Sequence, residues 1–228
     1  MNNFIKLSNI SKSFTHQKNL RVLKKLNYNF KFGKIYSLMG PSGSGKSTLL
    51  NLISLIDRPS SGKIKIENKD TSINKKTTND NIRAKKIGII YQDKNLLSDF
   101  SAIENVYLPN LLISNDKTKS VNLAKKIIKN MGLSSRLNHF PSELSGGENQ
   151  RIAIARALIN NPEIILADEP TGSLDFENAK QIFKVLFNLK NKNRIIIFAT
   201  HNRYFANMAD CKIKMIGGKM KATDERVE

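Results

Sequence analysis

The stretch Gly40-Pro41-Ser42-Gly43-Ser44-Gly45-Lys46-Ser47-Thr48 decides the fold class of this 228-residue chain. It fits the pattern G-x-x-x-x-G-K-[ST] and lies between an apolar strand predicted over 34–39 and a helix predicted over 46–56. The glycines let the backbone curl so that its N–H groups point inward, and the helix start adds the positive end of its dipole. Because an ordinary glycine-rich turn needs no lysine and serine after its last glycine, the stretch predicts a phosphate-binding loop.

The side chains that close this loop predict the chemistry of its ligand. Lys46 can place a cation on the β- and γ-phosphates of a nucleoside triphosphate, and the Ser47 hydroxyl can bind Mg²⁺ between them. A second apolar strand, predicted over 163–167, ends in two carboxylates, Asp168 and Glu169. We expect Asp168 to hold Mg²⁺ and Glu169 to polarise an attacking water. A pair of acids that only caps the next helix is the simpler alternative, but beside a phosphate loop the catalytic interpretation is favoured.

A second pair of glycines lies far from the first loop, in Leu144-Ser145-Gly146-Gly147-Glu148. The segment precedes a helix predicted over 145–160, so its backbone N–H groups can bind an anion. Ser145 and Glu148 also form a capping-box pattern, which would explain the segment without any ligand. A second phosphate-binding surface in one chain suggests that two chains share two nucleotides.

Composition limits the class of protein. A hydrophobic fraction of 39% and a charged fraction of 25% are those of a globular protein, and no run reaches the roughly 20 apolar residues of a membrane span. The N-terminal residues lack the apolar core of a signal peptide, so a cytoplasmic location is expected. The single cysteine, Cys211, allows no internal disulfide and is expected to be buried as a small apolar side chain.

The formal net charge of +19 has two interpretations. A strongly basic chain can bind nucleic acid or an anionic membrane surface. Lysines, however, are scattered through every segment, and Asn and Ile are also abundant, which favours a general compositional bias. Since no single element concentrates the basic residues as a nucleic-acid groove would, no nucleic-acid partner is expected.

Strand-like and helical segments alternate along the chain, which predicts an α/β fold. Helical spacing over 101–131 and 145–160 predicts a helical subdomain, about 93–160, inserted into an α/β core of about 1–92 and 161–228. The polar segment 70–81 is predicted as a loop. Gly132 is expected to end a helix in a left-handed cap, and Gly217-Gly218 to turn a hairpin. Further strands are predicted over 4–10, 62–67, 86–91, 194–200 and 212–216, and a further helix over 177–190.

The ordered set of motifs resembles the ABC (ATP-binding cassette) family along essentially the whole chain. This resemblance implies a P-loop NTPase of the ABC ATPase type, with ATP and Mg²⁺ as cofactors. It implies that residues 40–48 are the Walker A motif, residues 164–168 the Walker B motif and residues 144–148 the ABC signature. It implies that Gln92 is the Q-loop glutamine and a metal contact, that Glu169 is the catalytic glutamate and that His201 is the switch histidine. Residues 173–175 would form the D-loop, with Asp175 near the nucleotide, and Phe14 would be the aromatic residue that stacks on adenine.

Within that family the segments 91–106, 138–148 and 160–162 are similar to the LolD family, the ATP-binding subunits of lipoprotein-releasing systems. The resemblance implies a homodimer bound to inner-membrane permease subunits of the LolC/LolE kind, peripheral on the cytoplasmic face, with a lipoprotein as the substrate of the complex. Cell-division ATPases of the FtsE type and export ATPases of the MacB type remain alternatives. Family members that act on DNA or ribosomes usually hold two cassettes or a long coiled-coil insert, and this chain has neither.

Overall fold

The computed structural model describes residues 4–14, 20–73 and 75–225, and within these ranges the chain forms an α/β fold, as predicted. The strands are β1 (Ile5–Phe14), β2 (Leu20–Phe30), β3 (Ile35–Met39), β4 (Ser61–Ile66), β5 (Lys69–Asp70), β6 (Ile87–Ile90), β7 (Ile164–Asp168), β8 (Ile195–Ala199), β9 (Cys211–Ile216) and β10 (Lys219–Glu225). The helices are α1 (Lys46–Ile53), α2 (Lys76–Lys86), α3 (Ala102–Ser114), α4 (Lys117–Asn130), α5 (Gly146–Leu158), α6 (Phe176–Asn188) and α7 (Arg203–Ala206).

A six-stranded sheet of order β10-β9-β3-β8-β7-β6 forms the centre of the fold. Its strands from β9 to β6 are parallel, and β10 is added antiparallel after the turn at Gly217 and Gly218. Every residue of β8 is buried, as expected for a parallel strand covered on both faces. Because β3, β8 and β7 are adjacent and parallel, the segments that follow them meet at one edge of the sheet, where ligands bind in open α/β sheets.

An antiparallel sheet of order β2-β1-β4-β5 packs beside the central sheet. Strand β2 was not predicted from the sequence. Its buried residues Leu23, Leu26 and Phe30 are spaced by three and four positions, and so they lack the alternation that marks a strand. The alternation of buried and exposed side chains is lost because Lys25 adopts a φ of 50°, which interrupts the regular backbone of β2.

Helices α3, α4 and α5 pack around a separate apolar cluster, whose buried members all lie between residues 102 and 159. The helical spacing over 101–131 resolves into two helices, because Asn115 adopts a φ of 54° and the Asp116 side chain caps α4 by accepting a hydrogen bond from the Lys119 N–H. Gly132 follows α4 with a φ of 73°, as predicted. A division of the chain near residues 93 and 160 remains our proposal.

The prediction of a loop over 70–81 was wrong, because α2 begins at Lys76. The helix has no apolar face, so its sequence shows no hydrophobic periodicity from which a helix could be predicted. Instead, the buried amide of Asn79 donates to the Thr71 carbonyl and connects the helix to the core. Basic side chains in its last turn oppose the negative end of the helix dipole. Cys211 is buried at the start of β9, as expected. None of the helices in the described ranges has the length and apolar character that crossing a membrane requires.

Candidate active site

The loop between β3 and α1 has the geometry of an anion cradle. Gly43 and Gly45 adopt φ values of 76° and 98°, and a Cβ atom on Gly45 would lie 2.6 Å from a methyl group of Leu23, so only glycine fits there. Helix α1 begins at Lys46 without a side-chain cap and without an acidic residue in its first turn. The N–H groups at this helix start are therefore not neutralised by a side chain and can receive an anion.

Two side chains of the loop complete the cradle. The ammonium of Lys46 donates to the carbonyls of Gly40, at 2.7 Å, and Pro41, at 3.2 Å, which holds its charge beside the loop backbone. The Ser44 hydroxyl is buried and makes no hydrogen bond within the described residues. Pro41 and Ser42 are exposed, so the loop is open to a ligand. These features fit phosphate, since a buried hydroxyl without a partner and a cation at the loop can both contact an anion.

The acidic end of β7 lies close to this loop. Asp168 is half-buried and lines a small cavity together with Leu50 and Asn51 of α1, so its carboxylate lies beside the helix that begins at the loop. Glu169 has a φ of 43°, a left-handed conformation that is unusual for a residue with a side chain. Its N–H donates to the Ala199 carbonyl at 3.0 Å and so fixes this backbone to the end of β8. Such strain is concentrated at functional sites.

His201 meets the carboxylate of Glu169. Its Nδ1 atom lies 3.1 Å from Oε2 of Glu169, and its backbone N–H donates to the same oxygen at 3.4 Å. His201 also lines a cleft of about 620 Å³ together with Gly40 and Pro41. The structure therefore brings the predicted histidine, the predicted glutamate and the phosphate loop to one edge of the central sheet.

Gln92, two residues after β6, packs on the loop that follows Glu169. A Cβ atom on Gly172 would lie 3.2 Å from the side-chain amide nitrogen of Gln92. Two positions later, Lys94 donates from its ammonium to the Ser173 hydroxyl at 2.8 Å. This second contact was not anticipated from the sequence, because a lysine in a polar segment carries no signal that distinguishes it from a solvated side chain.

The three predicted metal ligands at this edge of the sheet are all oxygen atoms. They are the Ser47 hydroxyl at the start of α1, the Asp168 carboxylate and the Gln92 side-chain carbonyl. Mg²⁺ prefers oxygen ligands and usually takes one or two carboxylates together with substrate phosphates. Since the cavity beside Asp168 includes Asn51, one helical turn after Ser47, the residue types and their placement fit Mg²⁺.

The second glycine pair begins α5 with a complete helix cap. The Ser145 hydroxyl accepts from the Glu148 N–H at 3.2 Å, and the Glu148 carboxylate accepts from the Ser145 N–H at 2.8 Å, so the predicted capping box is confirmed. The hydrogen bond from the Ser145 backbone, together with the Arg136 guanidinium at 2.9 Å, lowers the pKa of Glu148 to about 2. The start of the helix is capped, while Ser145 and Gly146 remain exposed.

This helix start does not face the phosphate loop of its own chain. A Cβ atom on Gly146 would meet Leu174 at 3.4 Å, and one on Gly147 would meet the Asn178 amide at 3.3 Å. Helix α5 packs mainly on α3, α4, α6 and β6, and none of these elements carries the phosphate loop. Asp175, predicted near the nucleotide, caps α6 by accepting from the Asn178 N–H at 3.0 Å. One chain thus presents two separate anion-binding geometries.

Phe14 ends β1 with 37% of its surface exposed, so its ring is available for stacking rather than committed to the core. The ammonium of Lys12 lies 5.0 Å from the ring centroid and is fixed by an ion pair with Asp57 at 2.6 Å. An exposed aromatic face supported from one side is suited to a flat ligand. Stacking on adenine stays a prediction for this residue.

Comparison with known proteins agrees with the motifs. A family model described as ABC transporter matches residues 23–172. The lipoprotein-releasing system ATP-binding protein LolD of Rickettsia bellii is 42% identical over 221 residues, which cover 96% of this chain and 98% of that protein. The uncharacterized ABC transporter ATP-binding protein MJ1508 of Methanocaldococcus jannaschii is also 42% identical, over 198 residues that cover 87% and 88% of the two chains.

The fold also has a similar solved counterpart. The dimeric ATP-binding cassette MJ0796, in a post-hydrolysis state bound to ADP and Pi, superimposes with a TM-score of 0.91 at 36% sequence identity, covering 98% of this chain and all of that one. The predicted resemblance to ABC ATPases and to LolD proteins is therefore confirmed as similarity. Because the family model spans more than half of the sequence, and these relatives span nearly all of it, the chain belongs to the ABC transporter family as an ABC-type ATPase.

Proposed function

We propose that two copies of this chain bind two ATP molecules between them and use hydrolysis to drive a membrane complex that releases lipoproteins. The proposal that the two chains share each site rests on the separation of the two glycine segments within one chain. Helix α5 begins against Leu174 and Asn178, away from the phosphate loop of its own chain. A second copy can supply the missing segment, because a symmetric dimer pairs each loop with the other chain's helix start. The structural relative bound to ADP and Pi is itself dimeric.

Within each site the phosphate loop binds the nucleotide. The N–H groups of the loop over 40–48, to which Pro41 contributes none, surround the β- and γ-phosphates. Lys46 neutralises the phosphates, and Phe14 stacks on the base. Ser47, Asp168 and Gln92 would hold Mg²⁺, which would supply charge neutralisation for the phosphates. From the other chain, the Ser145 hydroxyl and the N–H groups of Gly146 and Gly147 donate to the γ-phosphate, since the Ser145 N–H is already bonded to Glu148. Asp175 lies at the seam between the two chains.

The chemical step rests on Glu169 and His201. Water attacks the γ-phosphorus, the bond to the leaving oxygen of ADP breaks, and the proton of the water passes to the Glu169 carboxylate. His201 is positioned by its 3.1 Å contact with that carboxylate and faces the same cleft as Gly40, so it can contact the γ-phosphate. The strained backbone of Glu169 aims its side chain before the substrate binds.

The membrane partner is proposed to dock in a groove between α2 and β6 on one side and α3 and α5 on the other. This groove has a volume of about 560 Å³, and its lining includes Lys85, Tyr91, Leu112 and Ile113. Leu112 is 85% exposed, which is unusual for a leucine on a helix that otherwise packs on a core. An amphipathic helix with an acidic residue opposite Lys85 fits this lining.

Beside this groove, the segment after Gln92 carries four apolar side chains that can extend the same contact. Of its four apolar side chains, Ile103 is buried and Leu96 packs against the helical cluster, whereas Leu97 and Phe100 are exposed. The groove lining includes neither of the exposed pair. They are proposed to widen the docking surface beside the groove.

Release of lipoproteins, with permease partners of the LolC/LolE kind and a peripheral position on the cytoplasmic face of the inner membrane, is supported by the lipoprotein-releasing name of the Rickettsia relative. The archaeal relative of equal identity carries no such name, so identity alone does not select this role. The role is tested by depleting the chain in the bacterium that makes it and separating inner from outer membranes.

Lipoproteins should accumulate in the inner membrane after depletion, and wild-type chain but not Glu169→Gln should restore their distribution. Cells that form filaments while their lipoproteins sort normally would instead indicate an FtsE-like role. Normal sorting together with a loss of macrolide resistance would indicate a MacB-like role. Either of the last two results would overturn lipoprotein release and leave the ATPase assignment intact.

A further inference from the structure

Arg156, near the end of α5, holds the backbone of the segment after Gln92. Its Nη1 atom donates to the Asn95 carbonyl at 2.5 Å, and its Nη2 atom donates to the Lys94 carbonyl at 2.6 Å. The guanidinium thus uses both arms of its fork on two successive carbonyls. No carboxylate in the described ranges lies within ion-pair distance of it, so the two carbonyls, and not an ion pair, hold the guanidinium in place.

The backbone that Arg156 holds is strained. Lys94 and Asn95 adopt φ values of 57° and 47°, two consecutive left-handed residues outside glycine. Such a turn persists only when its surroundings fix it. Charge-assisted hydrogen bonds to both carbonyls provide that restraint from the side of α5. Burial lowers the pKa of Arg156, as expected for a cation kept away from solvent to make these contacts.

The opposite side of the same segment contacts the loop after Glu169. Lys94 bonds to Ser173, and the Gln92 amide packs on Gly172. The segment 92–95 is therefore held by contacts on two sides. One side contacts α5, which begins at the signature glycines, and the other contacts the loop that follows the catalytic glutamate. Ten residues of helix, about 15 Å, separate Arg156 from Gly146, so a shift at one end of α5 is transmitted to the other.

We propose that Arg156 is a positioning residue that fixes Gln92 to the signature helix, so that α5 and the glutamine move as one unit. This inference rests on the proposed role of Gln92 in hydrolysis. Arg156 also lines the groove assigned to the membrane partner, beside Asn95 and Tyr91. A partner helix bound in this groove contacts the Arg156 guanidinium, which connects α5 to the segment 92–95.

The test is a double-mutant cycle on the full-length ATPase with Arg156→Lys and Gln92→Ala. Lysine keeps the charge but cannot bond to two carbonyls with one planar fork. Arg156→Lys should lower kcat about tenfold, with the KM for ATP within about twofold, because the glutamine is misplaced while the phosphate loop is intact. In the Gln92→Ala background the same change should have no further effect, because both variants remove one function.

Arg194→Lys is the matched control, since Arg194 is also half-buried and donates to main-chain carbonyls, of Pro162 and Leu189, far along the chain from Gln92. It should leave kcat unchanged even where it lowers the melting temperature. If Arg156→Lys does not fold, Arg156→Gln replaces it in the cycle. An unchanged kcat, or an equal loss with and without Gln92, would overturn the inference. Failure of Gln92→Ala alone to lower kcat would instead contradict the proposed role of the glutamine.

Discussion

Glu169 and His201 lie 32 residues apart in the sequence, yet the imidazole Nδ1 atom is 3.1 Å from a carboxylate oxygen of the glutamate. The contact exists because β7 and β8 are parallel neighbours in the sheet, with Asp168 paired to Ala199. Each side chain therefore leaves the same edge of the sheet one or two residues after its strand. This pairing places a base and a polar group beside the phosphate loop without any local sequence signal that links them.

Glu169→Gln should bind ATP with wild-type affinity but turn it over at least about 100-fold more slowly, because an amide cannot take a proton from water. The ATP-bound dimer should accumulate and be visible by size-exclusion chromatography with ATP and Mg²⁺. Glu163→Gln, at the other end of β7, is the matched control and should retain turnover. Rapid steady-state hydrolysis by pure Glu169→Gln would remove this residue from the chemical step.

Lys46→Ala should lose affinity for ATP rather than turnover of bound nucleotide, because the phosphates lose their cation while Glu169 is unaltered. The measurement is equilibrium binding of a fluorescent ATP analogue to the monomer. Lys31→Ala, on the segment between β2 and β3, serves as the control for loss of one positive charge. Equal affinities of the wild type and Lys46→Ala would show that the ammonium does not contact the nucleotide.

The capping box of α5 predicts a specific pH dependence of stability. The pKa of Glu148 falls from 4.5 to about 2 on folding, so its carboxylate stabilises the folded chain fully above pH 4.5 and loses that contribution as the pH falls toward 2. Glu148→Gln should therefore unfold at lower urea concentration than wild type at pH 7. The difference between the two midpoints should shrink steadily below pH 4.5, and a constant difference across this range would contradict the ionic contribution.

The docking groove predicts that Leu112→Glu folds and binds ATP, yet loses affinity for vesicles that contain its membrane partners by about tenfold or more. The substitution places a charge in the apolar part of the groove. Leu97→Glu is expected to act in the same direction from the surface beside it. Circular dichroism checks folding, and binding is measured at high salt to screen attraction between the basic chain and anionic lipid.

Ile73→Glu is the control for this experiment, because Ile73 is 79% exposed and lies outside the groove. It should bind the partner vesicles like the wild type. Unchanged binding of Leu112→Glu would move the docking site elsewhere. Salt-sensitive binding that is equal with and without partner proteins would replace the dedicated partner with a lipid surface.

Local motifs made most of the candidate site predictable. The phosphate loop, the acidic end of β7 and the capping box are each defined by neighbouring residues, so their geometry follows from short stretches of chain. Strand β2 was missed because Lys25 breaks its alternation, and α2 was missed because a buried amide, not an apolar face, fixes it. Arg156 escaped notice because its partners are main-chain carbonyls, which leave no trace in the sequence.

The central claim is that each ATP site is built from two chains, and mixing two inactive variants tests it. Lys46→Ala removes the cation with which the phosphate loop binds ATP, and Gly146→Asp places a carboxylate against the γ-phosphate of the other chain's nucleotide. Gly146 suits this purpose because, among the residues that the structure describes, a Cβ atom there meets only Leu174, at 3.4 Å, so the variant should fold. At an ATP concentration that saturates the wild type but not Lys46→Ala, each variant alone should be inactive as a homodimer.

Mixed dimers distinguish shared sites from sites within one chain. In a mixed dimer one site carries both defects, while the other combines an intact loop with an intact helix start. Steady-state ATPase activity of the equimolar mixture should therefore recover to about a quarter of wild type, because half of random dimers are mixed and each has one working site. Activity that stays at the level of the separate variants, with mixed dimers verified by a tag on one partner, would contradict a site shared between chains.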